Sequence, residues 1–231
     1  EIPQGDRLHD GWPQAIEDYA TRRGVRYYKE KVSNRLEHDL ERLTRIANLL
    51  QTHLGAGYRI TLDGNEQYKR AEDFEKLIAE IRAREELATL WENVLVIEQP
   101  FDRSIALSAE RIGALRALSR SKPVIIDESD GTLDAYAQAI ELGYRGVSSK
   151  NCKGAIRSLL NAGLTWRHND RGRRQEFTMT GEDLCSVGIV PTQSDLCLAA
   201  ALRLQHVERN GHHYHPGLSY LPEQVRRQAL A

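Results

Sequence analysis

The chain is poor in the residues and segments that mark several large classes of protein. Its 231 residues include only three cysteines, Cys152, Cys185 and Cys197, and no CxxC pair. This count argues against a disulfide scaffold and indicates free thiols in a reducing compartment. No apolar run reaches the roughly 18 residues of a membrane-spanning helix, and the first residues lack the charged-then-apolar pattern of a signal peptide. We therefore expect a cytoplasmic protein.

An excess of charge of either sign is missing as well. Lys and Arg total 32, Asp and Glu total 33, and the net charge is −1. A balanced charge gives no electrostatic footprint for nucleic acid or an anionic membrane, and we expect neither as a partner. The length suits one large domain over residues 1–231, although a complete (β/α)₈ barrel usually needs about 250 residues.

Three short segments read as buried strands that end in an acid. They are ITLD, VLVIE and VIID, which end at Asp63, Glu98 and Asp127. The spacing between these acids fits one strand, one helix and two loops per step, as in a (β/α) barrel, which gathers the C-terminal ends of its strands at one rim. Three carboxylates brought together there would repel one another unless a hard cation lay among them, and Mg²⁺ is the usual one.

The rest of the chain continues this alternation of strand and helix. We predict about seven strands, apolar along their length as expected for parallel strands covered on both faces. Acids at three successive strand ends favour a closed barrel over the rival, a doubly wound open sheet. The predicted strands cover residues 25–32, 58–63, 94–98, 123–127, 144–150, 176–182 and 205–208, and the predicted helices cover residues 12–23, 36–50, 71–90, 108–119, 133–142, 154–162 and 191–204.

Three lysines accompany the acids. Period-two alternation places Lys29 and Lys31 on one face of the first strand, with Glu30 on the other. Lys150 ends a strand beyond the three acids. A metal flanked by lysines suits removal of a proton next to a carboxylate, because the metal stabilises the enediolate and a lysine with a lowered pKa accepts the proton.

In this order, the strings YKEK, LDGN, IEQP, IDES and SSKNCKG resemble the enolase superfamily, and most closely its muconate lactonizing enzyme-like branch. The resemblance covers residues 24–154 and, more loosely, the rest of the chain. Each string alone is weakly specific, but five in order at barrel spacing are strong. The resemblance implies a (β/α) barrel from which the first strand and the N-terminal capping domain are missing in this chain. In the string SSKNCKG, the residues CKG stand where the family often has GG.

The resemblance also implies roles for individual residues. Asp63, Glu98 and Asp127 match the Mg²⁺ ligands, and Lys31 and Lys150 match the acid and base on opposite faces of the substrate. Further matches are Lys29, an auxiliary lysine, and Asn65 and Glu128, neighbours of the ligands. The implied activity is proton abstraction α to a carboxylate of a small acid, with racemisation or epimerisation slightly favoured over cycloisomerisation and dehydration. The family also implies a possible homo-oligomer.

Several alternatives stay open at this point. A catalytically inactive homologue that serves as a binding or assembly module is the main rival to an enzyme. The pair Glu182-Asp183 either contacts substrate or a lysine, or caps the next helix. His212 or His213 is a candidate for a loop near the substrate, and the Arg-rich stretch 167–174 reads as a solvated loop.

Overall fold

In the computed structural model, which describes residues 2–171, 176–182, 186–209 and 216–230, parallel strands alternate with helices. The strands are β1 (Tyr27–Lys31), β2 (Arg59–Asp63), β3 (Val94–Glu98), β4 (Val124–Ile126), β5 (Gly146–Lys150) and β6 (Thr178–Glu182). The helices are α1 (Ile16–Arg22), α2 (Leu36–Leu54), α3 (Ala71–Ala83), α4 (Ala88–Asn93), α5 (Arg103–Ala106), α6 (Ile112–Ser119), α7 (Ala135–Leu142), α8 (Ala155–Arg171), α9 (Val190–Ala201) and α10 (Glu223–Leu230).

Neighbouring strands in the sheet are also neighbours in the chain, in the order β1-β2-β3-β4-β5-β6. Strand β1 pairs in parallel with β2, β2 with β3, β4 with β5 and β5 with β6. Parallel strands joined in chain order by helices are the repeating unit of a (β/α) barrel. The predicted fold class, part of such a barrel, is confirmed.

Three predicted elements differ from the observed ones. Among the described residues there are six strands rather than about seven, because 205–208 contributes only an isolated bridge between Glu182 and Glu208. The predicted helix 71–90 is interrupted at Arg84, whose backbone is extended. Helix α8 continues through Gly163, past the predicted end at residue 162, and runs to Arg171 through part of the predicted loop 167–174. The remainder of that loop, 172–174, lies outside the described residues.

The chain divides into two compact units, residues 1–124 and 125–231. In the first unit, α2 buries an apolar stripe that includes Leu40, Leu43 and Leu50. The first unit also contains a cluster of aromatic rings packed edge to face. The ring centroids of Tyr68 and Phe74 are 4.8 Å apart, and those of Phe74 and Phe101 are 6.2 Å apart. These contacts fix the segments that follow β2 and β3.

The second unit packs helices on β5 and β6. Ala162 of α8 and Leu198 and Leu202 of α9 form a buried cluster, against which Met179 of β6 and Leu204 pack. At the end of α8, the side chain of Asn169 both donates to the carbonyl of Phe177 (2.8 Å) and accepts from its N–H (2.9 Å), which ties the helix to the chain entering β6. None of the described helices combines the length and the apolar composition needed to cross a bilayer.

Candidate active site

In the first unit, Lys29 and Lys31 lie on one face of β1 and Glu30 on the other, as predicted from the period of two along a strand. The Nζ of Lys29 lies 2.8 Å from Oε1 of Glu98 and 3.3 Å from Oδ2 of Asp63, and the Nζ of Lys31 lies 2.9 Å from the same Asp63 oxygen. Glu30 points the other way and accepts from Arg42 of α2 at 2.7 Å. Burial raises the pKa of Glu30, although the guanidinium of Arg42 opposes this shift.

Asp63 and Glu98 lie side by side at the ends of neighbouring strands, because the parallel register of β2 and β3 pairs these two residues. Each is 1% exposed. The N–H of Asn65 donates to Oδ1 of Asp63 at 2.8 Å, so Asn65 supports this acid through its backbone. Two adjacent buried carboxylates need cations nearby to remain ionised, and Lys29 contacts both of them.

The loops after β2 and β3 are held against each other. A Cβ on Gly64 would collide with the Cα of Pro100, so only glycine allows this approach of the two backbones. Glu66 accepts from the backbone N–H (2.9 Å), Nε (2.7 Å) and Nη2 (2.6 Å) of Arg103, in a bidentate pair. The segments that carry Asp63 and Glu98 are therefore joined by backbone and side-chain contacts.

In the second unit, Lys150 lies between two acids. Its Nζ is 2.7 Å from Oδ2 of Asp127 and 3.0 Å from Oε2 of Glu182, its partner in the register of β5 and β6. Burial alone would lower the pKa of Lys150, but the charges of Asp127 and Glu182 outweigh it and raise that pKa. Of the open readings of Glu182, contact with a lysine is the one observed.

Lys153 is a functional candidate that sequence reasoning missed. Its Nζ donates to Oδ1 of Asp127 (2.8 Å), to the carbonyl of Asp127 (2.6 Å) and to the carbonyl of Ser148 (3.2 Å). A 3₁₀ turn over Asn151–Lys153, followed by Gly154 at φ +103°, turns this side chain back toward β4. Burial raises the pKa of Asp127, and the charges of Lys153 and Lys150 lower it further than that, so the net shift is downward. The second lysine of SSKNCKG was the available signal.

Behind Asp127 lies a buried polar network. Asp130 accepts from Asn161 Nδ2 (3.1 Å) through its carboxylate and from Arg157 Nη1 (2.6 Å) through its carbonyl. Burial raises the pKa of Asp130, although the charges of Lys153 and Arg157 oppose that shift. Glu128, predicted as a neighbour of the ligands, follows Asp127 in the chain and is half-buried. His212 and His213, together with Asp183 after β6, lie outside the described residues.

Comparisons with solved structures identify the fold. A mandelate racemase/muconate lactonizing protein from Herpetosiphon aurantiacus is 18% identical with a TM-score of 0.59, and the match covers 81% of this chain and 47% of that one. A dipeptide epimerase from Enterococcus faecalis V583 is 16% identical with a TM-score of 0.63, and the match covers 87% of this chain and 52% of that one. An N-succinyl Arg/Lys racemase from Bacillus cereus ATCC 14579 is 21% identical with a TM-score of 0.58, and the match covers 82% of this chain and 46% of that one.

The chain therefore spans about half the length of these structures. No protein-family model matches it, and no curated protein does. At such identities the likeness is one of fold. The chain has the barrel fold of the mandelate racemase-like and muconate lactonizing enzyme-like members of the enolase superfamily, which confirms the resemblance of the sequence motifs at the level of fold.

Proposed function

We propose that this chain belongs to a Mg²⁺-dependent enzyme that removes the proton α to a carboxylate of a small organic acid. The observation that carries the proposal occurs in both units: acids at strand ends contact a lysine of another strand, Lys29 in the first unit and Lys150 in the second. Among structures of the same fold are a dipeptide epimerase from Methylococcus capsulatus complexed with Mg and one from Cytophaga hutchinsonii complexed with Mg and the dipeptide D-Ala-L-Val.

The proposed metal ligands are Asp63, Glu98 and Asp127. All three are 1% exposed and supply hard carboxylate oxygens, the ligands that Mg²⁺ prefers. Lysines are the cations that contact them in the structure. Bound Mg²⁺ would neutralise these acids and stabilise the charge that develops on the substrate carboxylate as its α-proton leaves.

Lys31 and Lys150 are the proposed acid and base, and Lys29 is the proposed auxiliary lysine. The carboxylates of Asp127 and Glu182 raise the pKa of Lys150 and so favour its protonated form, the form that a general acid requires, whereas the sequence argument expected a lysine with a lowered pKa. The side chain of Lys31 contacts Asp63 and is 52% exposed, so a substrate could reach it. Transfer by two lysines suits racemisation or epimerisation, whereas cycloisomerisation or dehydration needs only one.

Two measurements test the proposal. Calorimetric titration should show one Mg²⁺ site that is weakened by Asp63→Asn or Glu98→Gln and unchanged by Glu75→Gln, an exposed acid of α3. Incubation with Mg²⁺ and a panel of dipeptides and N-succinyl amino acids in D₂O should exchange the α-hydrogen of one class of compound. If the enzyme is a racemase or epimerase, Lys31→Ala and Lys150→Ala should each abolish exchange from a different epimer.

The outcomes separate the readings. Unchanged Mg²⁺ binding in both acid variants would refute the metal site. Mg²⁺ binding without exchange in any compound would favour the alternative, a catalytically inactive homologue that acts as a binding or assembly module. Product formation without loss of the α-proton would exclude the enediolate chemistry. The small carboxylate partner and the cytoplasmic location stay predictions.

A further inference from the structure

Glu182 is a largely buried acid to which the proposed chemistry assigns no role. Its side chain is 12% exposed, and that of Lys150 is 10% exposed. The register of β5 and β6 pairs these two residues at the ends of their strands, and Oε2 of Glu182 lies 3.0 Å from Nζ of Lys150. Burying a carboxylate is costly unless a cation accompanies it, so each of the two side chains stabilises the position of the other.

The backbone at Glu182 is fixed from both sides. Strand β5 borders β6 on one side. On the other side, the N–H of Glu208 donates to the carbonyl of Gly181 at 2.8 Å, and Glu208 forms a parallel bridge with Glu182. A Cβ on Gly181 would lie 2.7 Å from Cδ1 of Leu204, so the chain is closely packed at this point. The carboxylate of Glu182 therefore extends from a rigid strand end, which is the place for a side chain that orients another.

The two lysines that contact Asp127 are held in different ways. Lys153 donates to Oδ1 of Asp127 and to two backbone carbonyls, whose positions are fixed by the chain. Lys150 contacts Oδ2 of Asp127 at 2.7 Å and also contacts Glu182. A cation bound to Asp127 would repel the ammonium groups beside this carboxylate, because like charges at such short distances repel strongly. Of the two lysines, Lys150 is the one with a second carboxylate, that of Glu182, within hydrogen-bond distance.

We propose that Glu182 is the positioning residue of Lys150 and holds its ammonium group in place when Mg²⁺ occupies Asp127. This inference rests on the proposed function, in which Asp127 is a metal ligand and Lys150 an acid or base. Glu182 acts through Lys150 and touches no reacting atom: it limits where Nζ can lie, so that the lysine meets the substrate from one direction. Lys31 is held by Asp63 of the first unit, so proton transfer by Lys31 does not require Glu182.

Nuclear magnetic resonance of the chain with isotope-labelled lysine side chains tests this inference without measuring activity. An ammonium group held by carboxylates exchanges its protons slowly enough to be observed, and the signal that is missing in Lys150→Arg belongs to Lys150. In the wild type this signal should be present both without and with saturating Mg²⁺. In Glu182→Met it should be present without Mg²⁺, because Asp127 still holds the lysine, and should be lost when Mg²⁺ is added.

Deuterium exchange gives a second measurement, which a merely structural role would not change in the same way. Glu182→Met should lower exchange from the epimer that requires Lys150 by about 10–100-fold and leave exchange from the other epimer within about twofold of the wild type. Glu182→Gln keeps an acceptor without the charge and should give an intermediate result in both measurements. It also replaces Glu182→Met if that variant does not fold. The matched control is Glu176→Met, at an exposed glutamate that precedes β6, and it should change neither measurement.

The outcomes separate this inference from the proposed function. Loss of the Lys150 signal from the wild type on Mg²⁺ binding, or its survival in Glu182→Met with Mg²⁺, would overturn the inference and leave the proposed function standing. Equal losses of exchange from both epimers would do the same. Mg²⁺ affinity that falls as far in Glu182→Met as in Asp127→Asn would make Glu182 a metal ligand and overturn its positioning role. A wild type that binds no Mg²⁺ would overturn the inference together with the proposed function.

Discussion

Replacing Lys153 with methionine should destabilise the second unit by about 2–3 kcal/mol. The ammonium donates to three acceptors, of which one is the buried carboxylate of Asp127, while methionine keeps the length of the side chain and donates nothing. The full penalty for an isolated buried charge is not expected, because Lys150 stays 2.7 Å from the other oxygen of Asp127. Urea unfolding at pH 7, in buffer with a metal chelator, measures the loss.

The pH dependence adds a second test of the same contact. The lysines hold the pKa of Asp127 below its ordinary value, so its ion pairs contribute stability above about pH 4, and this is lost as the pH falls through the depressed pKa. The difference between wild type and Lys153→Met should therefore be full at pH 7 and shrink below about pH 4. Lys76→Met, an exposed lysine of α3, should change the unfolding free energy by less than about 0.5 kcal/mol. A loss equally small for Lys153→Met would refute the reasoning.

Three further predictions concern the elements around the candidate site. Gly64→Ala should destabilise the first unit by about 2–4 kcal/mol, because the new methyl group meets the backbone of Pro100; urea unfolding that matches the wild type would show that the two loops separate easily. Glu30→Gln should flatten the pH dependence of stability above about pH 4.3. The raised pKa of Glu30 makes the wild type lose stability as the pH rises from the ordinary glutamate pKa through the raised pKa, and glutamine removes this loss. A urea midpoint that changes with pH by the same amount in both proteins would contradict this. Tyr136→Phe should lower the unfolding free energy by about 1 kcal/mol, because it removes the hydroxyl that bonds Thr165; absorbance titration of the wild type should place the pKa of Tyr136 at about 12, because its ring is buried.

The order of the chain and its local chemistry determined much of this protein. Strand β3 has the bounds predicted from its apolar run, and parallel strands joined by helices follow from the alternation of patterns. The alternation in YKEK was enough to separate Lys29 and Lys31 from Glu30, because the side-chain period of a strand is two whatever packs around it. These are properties of neighbouring residues, which explains why the sequence was sufficient.

Other features depended on contacts between distant segments. Lys153 reaches Asp127 because a 3₁₀ turn and the positive φ of Gly154 reverse the chain, and no periodicity marks such a turn. Periodicity in α8 shows that one face is apolar, but only the partners of Ser158 and Asn161 decide that this face is outside. The sequence by itself determined the elements and the strand-end acids and lysines, whereas the tertiary structure decided which polar groups are buried together, because burial and pairing depend on residues far apart in the chain.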